Sequence, residues 1–130
     1  MRQSSVIDYA LARRATLADL RAGRVAASDV CDAHPYLLRA ARYHGEKTTK
    51  VCPVCRNAEL THVTYTYGDE LGSASGRVRA TRDLPGLAQR FGELHVYVVE
   101  VCRSCGWNHL TTSFLIGTGA KQPRRRTAEK

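Results

Sequence analysis

The sequence has few aromatic residues: they make up 7% of its 130 positions, and only one of them is tryptophan. So few large side chains predict a thin hydrophobic core that needs additional stabilisation. No apolar run reaches the length of about 18 residues that a transmembrane helix requires, so no membrane partner is expected. The first residues, MRQSSVIDYALARR, lack the apolar stretch and small-residue cleavage site of a secretory signal. We therefore expect a cytoplasmic protein.

Positive charge is unevenly distributed along the chain. Residues 1–50 carry a net charge of +4, residues 51–120 are neutral, and residues 121–130 carry +4. Excess cationic charge favours an anionic partner, most often nucleic acid, although it can also serve solubility alone. The residues predicted to contact nucleic acid or a partner are Lys121, Arg124, Arg125 and Arg126 near the C-terminus, with Arg77, Arg79 and Trp107.

The five cysteines are a poor disulfide framework for a cytoplasmic protein and a good metal framework. Four of them form two C-x-x-C pairs, in VCPVC and in VCRSC. Two such pairs supply the four thiolates that tetrahedral zinc requires. We therefore predict one structural Zn²⁺, bound by Cys52, Cys55, Cys102 and Cys105. A redox dithiol protein is an alternative, but a thioredoxin-like motif has a single pair in a βαβ unit.

The fifth cysteine, Cys31, lies in a predicted helical region and has no partner at metal-binding spacing. A free cysteine is most often a small buried hydrophobe, and a redox-sensing thiol is the alternative that the sequence leaves open. The histidines form no H-E-x-x-H pattern, and four thiolates leave no position for a catalytic water. We therefore expect a non-enzymatic protein without a small-molecule substrate.

The chain divides into three predicted regions. Residues 1–46 are rich in alanine, leucine and arginine, which predicts a helical N-terminal segment. Residues 47–117 contain both cysteine pairs and a long insertion at 68–92. Residues 118–130 have no core-forming side chains, so we expect them to form a disordered basic tail.

Within the middle region, three stretches rich in β-branched and aromatic residues predict strands, at 59–67, 93–101 and 110–116. Residues 46–50 are expected to form a linker. The glycines and serines of the insertion predict a mobile excursion, with a helical turn or two at 84–91.

The order of cysteine pairs and predicted strands over residues 51–117 resembles the zinc-ribbon fold. The resemblance implies an α+β protein: an N-terminal helical segment followed by a three-stranded antiparallel zinc ribbon. The chain departs from the pattern in spacing, because 46 residues separate Cys55 from Cys102 where about 15–20 are usual. Loop closure costs little additional entropy at this length, so the insertion is compatible with the site.

Zinc ribbons recur in the transcription and translation machinery. The resemblance therefore implies an accessory factor that docks on RNA polymerase or a nucleic-acid complex, with its basic ends on phosphate. A ribosome-associated zinc protein is the alternative, and either would be nucleoid- or ribosome-associated. Asp69-Glu70 also resembles the acidic pair of polymerase transcript-cleavage factors, which helps to hold Mg²⁺. Trp107 directly follows the second cysteine pair, where it can pack on the zinc site or stack on a partner.

Two longer stretches, VCDAHPYLLRAARYHGE and EVCRSCGWNHLTTSFLIG, resemble an uncharacterised actinobacterial family of small four-cysteine zinc-ribbon proteins. The resemblance implies an actinobacterial relationship and no particular activity.

Overall fold

A computed structural model describes residues 1–120 of the chain, which form an antiparallel sheet with helices packed on it. The helices are α1 (Ala10–Arg21), α2 (Ala27–Val30), α3 (Pro35–His44) and α4 (Leu84–Arg90). The strands are β1 (Ser4–Asp8), β2 (Glu46–Val51), β3 (Glu59–Tyr67), β4 (Arg77–Arg79), β5 (Leu94–Val101) and β6 (Asn108–Ile116).

The sheet has the order β1-β6-β5-β3-β2, and β4 pairs with the second half of β3. In the central pair, Thr61 lies opposite Val101 and Tyr67 lies opposite His95. The beginning of β3 and the end of β5 are therefore at the same end of the sheet. Since one cysteine pair precedes β3 and the other follows β5, this register brings the two pairs together.

The α+β class, the antiparallel sheet and the three predicted strands are confirmed. β3 has the predicted bounds, and β5 and β6 begin within two residues of the predicted positions. The prediction of a three-stranded sheet is wrong, because six strands take part. The additional strands lie outside or at the edges of the stretches with strong strand composition.

Two of the additional strands correct the local predictions. Residues 4–8 were predicted to be helical, but they form β1, whose backbone pairs with the exposed edge of β6. Residues 46–50 were predicted to be a linker, but they belong to β2, which pairs with β3. The partner of β1 is distant in sequence, whereas β2 and β3 are consecutive strands joined by the first cysteine pair. In both segments, pairing within the sheet overrides the local preference.

The insertion at 68–92, for which the sequence predicts a mobile excursion with a helical turn or two, contains several short elements of secondary structure. It contains a 3₁₀ segment at Asp69–Ala74, strand β4, a 3₁₀ turn at Thr81–Asp83 and helix α4. The predicted helical turns at 84–91 are therefore confirmed. Leu84 and Leu87 of α4 are buried against the side chains of Leu94, Val96, Phe114 and Ile116. Burial of each leucine contributes about 2 kcal/mol.

Helix α3 covers part of the opposite face of the sheet. Its first residue is Pro35, and the Nδ1 atom of His34 accepts a hydrogen bond from the amide of Tyr36, which caps the helix. Ala40 and Ala41 pack on Val63 and Val101. The helix ends at Gly45, where a β-carbon would collide with Thr61. Small residues thus allow α3 to lie close to the sheet.

Candidate metal centre

The first cysteine pair lies in a tight turn between β2 and β3, here called the first knuckle (Cys52–Arg56). The amide of Arg56 donates to the carbonyl of Cys52 over 3.1 Å, which closes the turn. The amides of Val54 and Asn57 each donate to a cysteine sulfur over 3.4 Å. Backbone amides aimed at sulfur stabilise a thiolate and are the usual surroundings of a structural metal site.

The second knuckle (Cys102–Gly106) repeats this turn between β5 and β6. The amide of Gly106 donates to the carbonyl of Cys102 over 2.9 Å. The amides of Cys105 and Trp107 donate to the sulfurs of Cys102 and Cys105 over 3.4 Å. Gly106 has a φ of +90°, a left-handed conformation that glycine adopts without strain.

The two knuckles bring the four predicted cysteine sulfurs into one cluster, in which all lie within 4.8 Å of one another. The sulfurs of Cys52 and Cys105 are 3.7 Å apart, and those of Cys55 and Cys102 are 3.6 Å apart. Tetrahedral zinc with Zn–S bonds of about 2.3 Å separates its sulfurs by about 3.8 Å. The cluster therefore has the donor atoms and the dimensions to bind a metal ion.

The equivalent cysteines of the two knuckles differ in acidity in the metal-free protein. The amide of Asn57 lowers the pKa of Cys55 to about 7. Burial raises the pKa of Cys105 to about 12, and burial also raises the pKa of Cys52 to about 12. A metal must therefore displace protons from the thiols of Cys52 and Cys105, whereas Cys55 is already largely a thiolate above pH 7.

Trp107 packs beneath the second knuckle. Its side chain is 0% exposed and contacts Leu17 and Leu60 in the core around the cysteines. Its indole N–H donates to Oε2 of the buried Glu100 over 2.7 Å, and Arg13 donates to the same oxygen over 2.8 Å. This corrects the prediction that Trp107 contacts a partner, because its ring is inside the protein. The structure has the other predicted arrangement, in which Trp107 packs on the cysteine site and the sheet.

Cys31 lies beside the cluster. Its thiol donates to the sulfur of Cys105 over 3.6 Å, although 74 residues separate the two in sequence. Sequence reasoning missed this contact because Cys31 is not part of a C-x-x-C pair. The side chain is partly exposed, so it is not the fully buried hydrophobe that was expected.

The predicted basic contact residues are only partly placed. Arg77 and Arg79 lie on β4, where Arg77 is exposed and Arg79 donates to Oγ1 of Thr66 over 3.3 Å. They are on the same face of the strand and distant from the cysteines in the sheet. Lys121, Arg124, Arg125 and Arg126 lie outside the described residues, as does most of the predicted tail.

The acidic pair at the end of β3 has a local structural role. The carboxylate of Glu70 accepts a hydrogen bond from the amide of Gly92 over 3.1 Å, which joins the two ends of the insertion. Asp69 is exposed beside it.

An aromatic surface lies on the second half of β3 and the neighbouring part of β5. Because side chains alternate along a strand, Tyr65 and Tyr67 share one face of β3, and Tyr97 and His95 lie opposite them on β5. These four side chains, with Val99 and Leu110, line an open groove of about 550 Å³, here called the tyrosine groove. The rings of Tyr67 and Tyr97 meet edge to face at 5.5 Å, and His95 stacks on Tyr97 at 5.9 Å. Burial raises the pKa of Tyr65, so its hydroxyl stays neutral at physiological pH.

Among residues 1–120, no helix is both long and apolar enough to cross a membrane.

The chain is 49% identical over 120 residues to uncharacterized protein Rv0049 of Mycobacterium tuberculosis strain H37Rv, an alignment that covers 91% of this chain and 88% of the relative. Uncharacterized protein Mb0050 of Mycobacterium bovis matches with the same identity and coverage. No solved structure matches significantly. These relatives confirm the expected resemblance to an uncharacterised actinobacterial family. Because the family profile matches residues 1–130, the chain belongs to the DUF5318 family of unknown function.

Proposed function

We propose that the cysteine cluster binds one structural Zn²⁺ and that the protein is a non-enzymatic accessory factor of RNA polymerase or a related nucleic-acid complex. The observation that carries the metal assignment is the set of four sulfurs within 4.8 Å, each accepting a backbone amide. Thiolates also suit Cu(I) and iron–sulfur clusters. Separations of 3.6 and 3.7 Å match a single tetrahedral ion, and zinc is its usual occupant.

A closed set of four thiolates supports a structural rather than a catalytic role, because it leaves no coordination position for a water. The ion would join the beginning of β3 to the turn between β5 and β6. It would thereby stabilise the core cluster that contains Leu17, Leu60 and Trp107. Elemental analysis of protein purified without chelator tests the assignment, with one zinc per chain expected. Iron or copper in place of zinc would contradict it.

Charge supports an anionic partner, since residues 1–50 and residues 121–130 each carry +4. Unpaired bases of a nucleic-acid complex suit the tyrosine groove, because every base has a flat face that stacks on an aromatic ring. With Trp107 buried, the groove is the aromatic surface that we assign to this contact. The basic ends would contact phosphate, and the groove would contact bases.

The phosphate contacts are tested by comparing full-length protein with protein lacking residues 121–130 across a salt series. Removal of a net charge of +4 should flatten the slope of log K against log salt by at most about 3–4 units on duplex DNA. Purified RNA polymerase, ribosomes and single-stranded RNA are the other targets. Equal slopes for both proteins on every target would contradict phosphate binding by the tail, and preferential binding to ribosomes would favour the ribosome-associated alternative.

The groove is tested separately with Tyr67→Ala, which removes the most exposed of its tyrosine rings. Loss of a stacked base costs about 1–3 kcal/mol, so affinity for single-stranded RNA should fall by about fivefold or more. Tyr36→Ala is the matched control, because Tyr36 is an exposed tyrosine on α3 outside the groove. Equal affinities of the two variants would contradict base stacking in the groove.

A further inference from the structure

The thiol of Cys31 lies within reach of Cys105, one of the four proposed metal ligands. Its sulfur is 3.6 Å from that of Cys105, the same separation as between Cys55 and Cys102 within the cluster. Both Cys31 and Cys105 are partly exposed, whereas Cys52 and Cys102 are completely buried. The contact between Cys31 and Cys105 is therefore the sulfur pair of the site that a small oxidant can reach most directly.

Neighbouring hydrogen bonds hold Cys31 and Cys105 next to each other. The amide of Ala33 donates to the carbonyl of Gly106 over 3.0 Å, and Asn108 donates to the carboxylate of Asp32 over 3.1 Å. The carbonyl oxygen of Cys31 lies 3.0 Å from the position that a β-carbon on Gly106 would occupy. Residues 31–33 are thus packed directly on the second knuckle, and a disulfide needs its two sulfurs to approach by only about 1.5 Å.

We propose that Cys31 and Cys105 form a disulfide when the protein meets a peroxide, and that this modification releases the metal. The proposal rests on the metal centre proposed above. Cys31 is then neither a core residue nor a fifth ligand, but a resolving cysteine placed beside one ligand.

The reaction has two balanced steps. Cys105 is a thiolate while it is a ligand of the proposed metal, and this thiolate attacks the peroxide. The S–O bond forms, the O–O bond breaks, hydroxide leaves, and Cys105 becomes a sulfenic acid. The thiol of Cys31 then attacks the sulfur of Cys105, so the S–S bond forms, the S–O bond breaks, and the departing oxygen takes the thiol proton and leaves as water. The two cysteines are oxidised by two electrons, and the peroxide is reduced.

The consequence for the metal follows from ligand number. A disulfide sulfur is a poor ligand, so oxidation leaves three thiolates from Cys52, Cys55 and Cys102. Incomplete coordination weakens binding, and the ion dissociates. Reduction of the disulfide restores the fourth ligand, so the change is reversible.

The test uses full-length reduced protein whose zinc content has first been measured by elemental analysis. Hydrogen peroxide is added at a low molar excess, zinc release is followed with a chromogenic chelator, and disulfides are mapped by mass spectrometry of unreduced peptides. We expect a Cys31–Cys105 disulfide, release of zinc, and rebinding after dithiothreitol. In Cys31→Ser the release should slow on the order of tenfold, because the tethered resolving thiol is missing.

Two controls make the result specific. Ser104→Ala changes an exposed residue of the second knuckle and should react like the wild type. Cys31→Ala should match Cys31→Ser, and both should retain zinc when reduced. Wild-type release at an unchanged rate in both Cys31 variants, or a Cys52–Cys105 disulfide in place of Cys31–Cys105, would overturn the proposal. Absence of zinc from the reduced protein would overturn the metal centre instead, and the peptide map would still support or refute the disulfide.

Discussion

The first knuckle (Cys52–Arg56) and the second knuckle (Cys102–Gly106) make the same backbone turn in different surroundings. In each, the residue after the second cysteine has a left-handed φ, +58° at Arg56 and +90° at Gly106. Arg56 is exposed, whereas Gly106 is buried beneath residues 31–33. The turn itself therefore needs only a left-handed residue, and it is the packing of the N-terminal segment that requires glycine in the second knuckle.

The different surroundings of the two knuckles also give their equivalent thiols different pKa values. Cys55 and Cys105 occupy equivalent positions, and each accepts a backbone amide over 3.4 Å. The pKa of Cys55 is lowered because that amide dominates, and the pKa of Cys105 is raised because burial dominates. Residues 31–33 thus cover one side of the second knuckle, whereas the corresponding residue of the first knuckle, Arg56, is exposed.

The largest effect is expected when the second knuckle loses a ligand. Cys102→Ser should abolish tight metal binding and destabilise the protein by about 4 kcal/mol at free zinc a thousandfold above its Kd. Hydrogen exchange should rise around Leu60 and Trp107, which pack on the cysteines, and stay low at Val96 and Phe114, which pack on α4. A uniform rise over both clusters would show that the two ends of the sheet unfold together.

Lowering the pH tests the difference in pKa between Cys55 and Cys105, the equivalent thiols of the two knuckles. Cys52 and Cys105, with pKa values of about 12, must take up protons when the metal leaves at any lower pH, whereas Cys55 does so only below about 7. As the pH is lowered, apparent zinc affinity should therefore fall by at least about a hundredfold per pH unit above pH 7 and by at least about a thousandfold per unit below it. Competition with a chelator between pH 5.5 and 8.5 measures this. A pH dependence no steeper below pH 7 than above it would contradict the lowered pKa of Cys55.

The smallest effects are expected from replacing the two residues with a left-handed φ, Gly106 and Arg56. The two replacements should change the free energy of unfolding in opposite directions. Gly106→Ala should destabilise the protein by about 2 kcal/mol, since it adds left-handed strain and places a β-carbon against the carbonyl of Cys31. Arg56→Gly should stabilise it by less than about 1 kcal/mol, because relief of the same strain is partly offset by unfolded-state entropy. Chemical denaturation of the zinc-loaded proteins measures both. Equal losses would show that residues 31–33 do not constrain the second knuckle.

Local signals predicted much of the fold and of the site. The run ELTHVTYTY predicted β3 with its observed bounds, and the helical turns predicted at 84–91 coincide with α4. The C-x-x-C spacing identified the four clustered cysteines, because two residues between ligands suffice for a turn that directs both sulfurs to one side. The sequence did not reveal β1, β2 or β4, whose strand conformation depends on pairing with β6 and β3.

The sequence by itself determined the features that a few neighbouring residues decide, namely the turns of the two knuckles and the central strands. The backbone hydrogen bonds that close these turns join residues no more than six positions apart, so composition and spacing are enough. The tertiary structure alone decided the burial of Trp107, the grouping of Tyr65, Tyr67, His95 and Tyr97, and the contact of Cys31 with Cys105. Each of these requires strands or segments distant in sequence to pack together, and that packing follows from burial of the whole apolar surface rather than from any local pattern.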